Sequence, residues 1–156
     1  MSLPAGAILE AVIPHPSGET VALYDVSHLL PTKKGRPQPA RPTGAPERDA
    51  EGRLVLYRLV ADDRRSWHTG GVCNDHGIAC ALQGNLSRRD LTPDQRIVAE
   101  ACLTYVTTSG RYPDLAEHPV STHSRAKVYG AKKSKPICPG EYAERWLAGL
   151  LASRAA

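Results

Sequence analysis

Hydrophobic positions in this chain fall first into short runs broken by proline and glycine, and later into two stretches of helical period. Ala7 to Pro14 is an apolar run that predicts a strand ending at His15, with Pro16-Ser17-Gly18 turning the chain away. Thr20 to Leu30 places Leu23, Val26, Leu29 and Leu30 on one helical face, while its β-branched start suits a strand equally; Pro31 stops it either way. Residues 31 to 52 carry five prolines interleaved with Lys33, Lys34, Arg36, Arg41 and Arg48, and predict a long, exposed, mobile loop. Arg53 to Val60 reads as a strand. Gly77 to Leu82, continuously small and apolar, reads as a buried strand that ends in the turn Gln83-Gly84-Asn85.

The clearest helix starts at Thr92. Thr92-Pro93-Asp94-Gln95 is a capping box with proline at the first helical position, and Ile97, Val98, Ala101, Cys102, Tyr105 and Val106 form the apolar stripe before Gly110. A connector leads to a predicted strand, Pro119 to Thr122, and to His123. A last helix begins at Pro139-Gly140 and carries Tyr142, Trp146, Leu147, Leu150 and Leu151. No internal repeat or low-complexity tail interrupts this order.

The length of 156 residues suits one domain, residues 1–156, with a core of its own. The formal charge of +4 suits a polyanionic partner such as nucleic acid, anionic lipid or cell-wall polymer, or simply a mildly basic surface. Four cysteines at 73, 80, 102 and 138 form no CxxC, and Cys80 and Cys102 read as buried thiols rather than a disulfide framework. The first residues lack a basic segment followed by a long apolar run, so neither a signal peptide nor a membrane span is expected.

Candidate chemistry concentrates where histidine meets cysteine. His15 and His123 each close a predicted strand, and Cys138 sits directly before Pro-Gly. Imidazole and thiolate both suit zinc, and two histidines with one cysteine would leave a fourth position open for water, the pattern of catalytic sites. The fifteen-residue spacing from His123 to Cys138 matches no zinc finger, so such a site has to be assembled from distant parts of the fold. His28 is an alternative first ligand. Trp67 and His68 read equally well as a turn packed over the core, and Cys138 as a thiol at a helix start.

Taken in order, Ala11 to Gly18, Ser66-Trp67-His68-Thr69-Gly70, Gly77 to Asn85, Leu91 to Gln95, and His123 through Cys138-Pro139-Gly140 resemble the zinc-dependent N-acetylmuramoyl-L-alanine amidases, the family of bacteriophage lysozyme-type amidases and peptidoglycan recognition proteins. The resemblance covers nearly the whole chain. It implies an α/β fold with a mixed central sheet flanked by helices, and a Zn2+ ion held by His15, His123 and Cys138. It also implies substrate contacts from Trp67, His68 and Asn85, and a catalytic cation at Lys135. The implied reaction is hydrolysis of the amide between N-acetylmuramic acid and L-alanine, with peptidoglycan as partner and neither nucleic acid nor membrane. A monomer and a phage-type route to the cell wall are expected with it.

The sequence departs from the family pattern at four places. Pro16 follows His15 where a second histidine or cysteine is usual. The place of the family's tyrosine falls near Gly44, Ala81 stands where a glutamate is found, and Lys135 lies one step further from Cys138 than usual. A muropeptide-binding module that does not cleave is therefore a rival reading. A basic nucleic-acid-binding protein is a more distant one, disfavoured by the dispersal of Lys and Arg and by the lack of a recognisable binding motif.

Overall fold

A computed structural model describes residues 3–29, 32–33, 36–37, 46–62, 77–82, 86–115, 120–126 and 138–155. Its elements are β1 (Ile8–Pro14), β2 (Thr20–Asp25), β3 (Thr32–Lys33), β4 (Arg36–Pro37), β5 (Leu54–Arg58), α1 (Pro93–Thr108) and α2 (Glu141–Ala155), with a 3-10 turn at Pro113–Leu115. β1, β2 and β5 form one sheet in that order. β1 runs antiparallel to β2, with Pro14 opposite Thr20 and Ile8 opposite Asp25, and β2 runs parallel to β5, with Val21 opposite Leu54. The sheet is mixed and the architecture is α/β, as expected.

β2 decides between the two readings of residues 20 to 30 in favour of the strand. Val21, Ala22, Leu23 and Tyr24 are all buried. A central strand covered on both faces is apolar on both, and four such residues in a row also satisfy a helical stripe, which is why the pattern alone was ambiguous. One face, through Val21, Leu23, Ile13 and Leu54, packs on Val98 and Ala101 of α1. The other gathers Ala22, Tyr24 and Val55 with Leu3, Ala7 and Tyr57.

α1 starts as its sequence dictates. The Thr92 hydroxyl accepts from the Gln95 amide at 3.2 Å, and the Gln95 side-chain oxygen accepts from the Thr92 amide at 3.0 Å. Pro93 has no amide to satisfy, so two of the three amides left over at this helix start are thereby satisfied. Arg48 joins Glu19, beside the start of β2, to Asp94 in the first turn of α1. Glu10, Arg58, Asp62, Arg111 and Tyr112 interlock at the opposite end of the sheet. α1 therefore runs in the same sense as β2.

Within the predicted loop over 31 to 52, residues 32–33 and 36–37 pair as a short β3–β4 ladder, and the loop's end is pinned: the Asp49 carboxylate accepts from the Arg53 amide (2.9 Å), the Arg53 Nε (2.8 Å), the Glu51 amide (3.1 Å) and the Tyr24 hydroxyl (2.9 Å). Two predicted strands are corrected. Residues 77–82 form no strand, and Ile78 is exposed. Small apolar residues make a buried strand only with a ladder partner, and this segment joins none of the described strands. Residues 120–122 likewise form no strand and lead directly into a turn. Among the described residues no helix is long and apolar enough to cross a membrane.

Candidate functional site

Two of the three expected ligands, His123 and Cys138, lie on backbone segments that are hydrogen-bonded to each other just before α2. Thr122 is buried and opens a turn in which the Ala126 amide donates to its carbonyl at 2.9 Å. The Ser124 amide donates to the Cys138 carbonyl at 3.0 Å, which sets the His123 turn directly beside Cys138. Gly140 then fixes the helix start. Its φ is +113°, and a Cβ there would lie 2.5 Å from the Leu86 carbonyl carbon and 2.6 Å from the Ser87 nitrogen. Only glycine accepts both that φ and that approach. The Tyr142 amide donates to the Leu86 carbonyl at 3.0 Å, and Ala143 packs on Leu86 and Leu91 with Trp146 alongside. Cys138-Pro139-Gly140 is therefore the segment that docks α2 onto residues 86–91.

An open cleft of about 600 Å³ borders this corner, lined by Ser87, Ser124, Arg125, Glu141 and Glu144. Glu144 accepts from the hydroxyls of Thr122 and Ser124 and from Arg125 Nε. Burial pushes its carboxyl up, but the hydrogen bonds from Ser124, Thr122 and Arg125 outweigh burial and hold it below the usual value.

His15 stands on the β1–β2 turn. Its Nε2 lies 2.7 Å from Glu100 Oε2 of α1, and its Nδ1 lies 2.7 Å from the Ser17 hydroxyl and accepts from the Ser17 amide at 3.1 Å. An amide can only donate and an ionised carboxylate only accept, so the ring is neutral with its proton on Nε2. A carboxylate on the ring's far nitrogen is the usual support of a metal-bound histidine. The basic nitrogen, Nδ1, currently faces Ser17. Glu100 and Ser17 were not singled out in the sequence. Ser17 was read only as a turn residue, and Glu100 interrupts an otherwise apolar stretch of α1, which was the available signal.

His28 is held by one ring nitrogen, with Nε2 2.9 Å from the Gly6 carbonyl. The two histidines sit at opposite ends of the sheet: His15 beside the Pro14–Thr20 pair and His28 beyond the Ile8–Asp25 pair. Five residue steps along β2 separate those ends by roughly 17 Å, too far for both to hold one ion. The first turn of α1 lies at the His15 end, and Leu91, just before it, packs on Ala143 of α2. Cys138 and His123 therefore belong to the His15 end.

The donor chemistry fits zinc, but the full set is not assembled. Among the described residues no group of three or more His, Cys, Asp or Glu side chains is disposed to hold a metal ion. The structure sets the backbone of the His123 turn beside that of Cys138 through Ser124, and pairs His15 with Glu100. Trp67, His68, Asn85 and Lys135 lie outside the described residues. Cys80 is exposed as a residue, but its sulfur turns inward onto the half-buried Cys102, so the expectation of a buried thiol holds for the sulfur alone. That contact, together with burial of the sulfur, pushes the Cys80 thiol up, and the same contact pulls Cys102 down.

A family model described as N-acetylmuramoyl-L-alanine amidase matches residues 27–141. This is well over half of the chain, and the chain belongs to that family. His28, His68, Asn85, His123, Lys135 and Cys138 lie within the matched residues, and His15 precedes them. No curated protein and no solved structure matches the chain.

Proposed function

We propose that this chain is a peptidoglycan hydrolase that cleaves the amide between N-acetylmuramic acid and L-alanine with the help of a zinc ion. The family match supports amidase chemistry on peptidoglycan, and the observation that carries the finer reading is the His123–Cys138 corner tied by the Ser124–Cys138 hydrogen bond. In this reading His15 Nδ1, His123 and the Cys138 thiolate hold the metal. His15 is preferred to His28 because it lies at the same end of the sheet as Cys138, whereas the boundary of the family match marks similarity rather than position. Zinc held there supplies a Lewis acid and an acidified water.

The protein's own groups have distinct tasks. Glu100 fixes the His15 proton on Nε2, so Nδ1 is the nitrogen offered to the metal once Ser17 gives way. Lys135, close before Cys138 in sequence, supplies positive charge for the carbonyl oxygen as it becomes anionic. The family resemblance assigns substrate contacts to Trp67, His68 and Asn85. In the net reaction water adds to the lactyl carbonyl carbon, the C–N bond breaks, and the departing L-alanine amine takes up a proton.

The second reading is a module of the same fold that binds muropeptide without cleaving it. It is favoured by the unmatched tyrosine and glutamate positions and by the separation of His15 from the other two ligands. Elemental zinc analysis and an amide-cleavage assay on purified peptidoglycan, run on wild type, Cys138→Ser, His15→Ala and His28→Ala, separate the readings. About one zinc per chain with cleavage, both lost in Cys138→Ser and His15→Ala and kept in His28→Ala, is the expected result. Loss in His28→Ala with retention in His15→Ala moves the first ligand to His28. Zinc or muropeptide binding without cleavage establishes the binding module.

A further inference from the structure

We infer that Glu144 is the positioning residue that holds the His123 turn against Cys138, and so sets the geometry of the proposed metal pair. The inference rests on the reading of His123 and Cys138 as ligands. Glu144 lies on the first turn of α2, six residues after Cys138 and on the same rigid element that Gly140 docks onto residues 86–87. From there its carboxylate reaches back across the corner. Oε1 takes the hydroxyl protons of both Thr122 and Ser124, the two residues flanking His123, with the Ser124 oxygen at 2.6 Å. Oε2 takes Arg125 Nε at 2.7 Å.

Three donors around one histidine, from Thr122, Ser124 and Arg125, thus converge on a single carboxylate. The carboxylate is largely buried, with its side chain 16% exposed, whereas Arg125 is 72% exposed. The exposed Arg125 contact is weak and dispensable, as surface ion pairs generally are. The two hydroxyl bonds are the ones that hold, because buried Thr122 and its neighbour have their bonds to a charged acceptor shielded from water. Glu144 acts through Thr122 and Ser124, and through the Ser124 amide on the Cys138 carbonyl.

The test compares wild type, Glu144→Gln and Glu144→Ala by three measurements. These are amide hydrogen exchange of Ser124 in metal-free protein, zinc affinity by competition with a chromophoric chelator, and thermal melting. Glu144→Gln keeps an oxygen for both hydroxyls and is expected to retain Ser124 protection and most of the zinc affinity. Glu144→Ala is expected to lose the protection and to bind zinc about 10–100-fold more weakly, as loss of a supporting partner does elsewhere, while still melting cooperatively. If Glu144→Ala does not fold, Thr122→Val with Ser124→Ala removes the same donors from the other side, and the same losses are expected.

Wild-type Ser124 protection in the alanine variant overturns the inference whether or not zinc binds. Lost protection with unchanged zinc affinity overturns the link to the metal pair. A wild-type protein that binds no zinc, yet loses Ser124 protection in Glu144→Ala, overturns the metal reading and upholds Glu144 as the clamp.

Discussion

Gly140→Ala is the most direct probe of the corner that carries Cys138. The added Cβ would lie 2.5, 2.6 and 2.7 Å from the Leu86 carbonyl carbon, the Ser87 nitrogen and the Leu86 oxygen. Ordinary carbon contacts lie near 3.5–4.0 Å, so relief requires a shift of about 1 Å. All three neighbours are backbone atoms, which no rotamer change can clear. Overpacking of this kind costs about 1–3 kcal/mol. Holding an L-residue at φ +113° adds on the order of 1–3 kcal/mol. Alanine's lower entropy in the unfolded chain returns only about 0.4–1 kcal/mol. The expected net loss is roughly 1–5.5 kcal/mol, a sizeable part of the ~5–15 kcal/mol that a domain has in total. Urea unfolding followed by tryptophan fluorescence reads it well, because Trp146 packs on the Leu86–Leu91–Ala143 cluster beside the clash. A midpoint within error of wild type, corresponding to less than ~0.5 kcal/mol, would refute the claim that Cys138-Pro139-Gly140 docks α2 against residues 86–87.

Two further predictions concern the frame around the site. Thr92→Ala removes the hydroxyl that caps α1 and should lower stability by ~1 kcal/mol, with Thr92→Ser nearly silent, as read by urea midpoints. An alanine variant as stable as wild type would show that the cap is idle. Asp49 makes stability depend on acid. Burial pushes its carboxyl up, but hydrogen bonds from the Arg53 side chain and backbone and from Tyr24 prevail and hold it below its ordinary 3.8. A group depressed on folding contributes stability that is fully present above its unfolded value and is lost as pH falls through its folded value. Stability should therefore decline as pH drops below 3.8, and Asp49→Asn should be less stable at neutral pH while losing less between neutral and acid. Parallel pH profiles for the two proteins would remove Asp49 from the account.

Membership of the amidase family places the chain among hydrolases of a covalent wall polymer, and its departures from the family pattern bear on catalysis more than on fold. The positions without a matching tyrosine or glutamate fall at Gly44 and Ala81, whereas the Cys-Pro-Gly segment, the capped helix and the His123 turn are present and structurally joined. The His123 turn is tied to the Cys138 backbone through the Ser124 amide and to α2 through the Glu144 carboxylate.

How far the sequence could be read differs from element to element. β1, the capped start of α1 and the start of α2 were legible because their signals are local: a few apolar residues, a Thr-Pro-Asp-Gln cap, a Pro-Gly after cysteine. The strand β2 was not separable from a helix, because burial on both faces erases the period that distinguishes them. Residues 77–82 read as a buried strand from composition, but a strand exists only when another backbone supplies its hydrogen bonds, and composition does not name that partner. The same limit governs the site. His15 pairs with Glu100 across 85 residues, and Glu144 reaches back to Thr122 across 22. By itself the sequence determined which side chains are candidates for metal binding, which family the chain resembles, and where several segments start and stop. Only the tertiary structure decided that His123 and Cys138 share a corner while His15 and His28 occupy opposite ends of one sheet. Neighbours in space are chosen by packing of the whole chain, and no local stretch carries that choice.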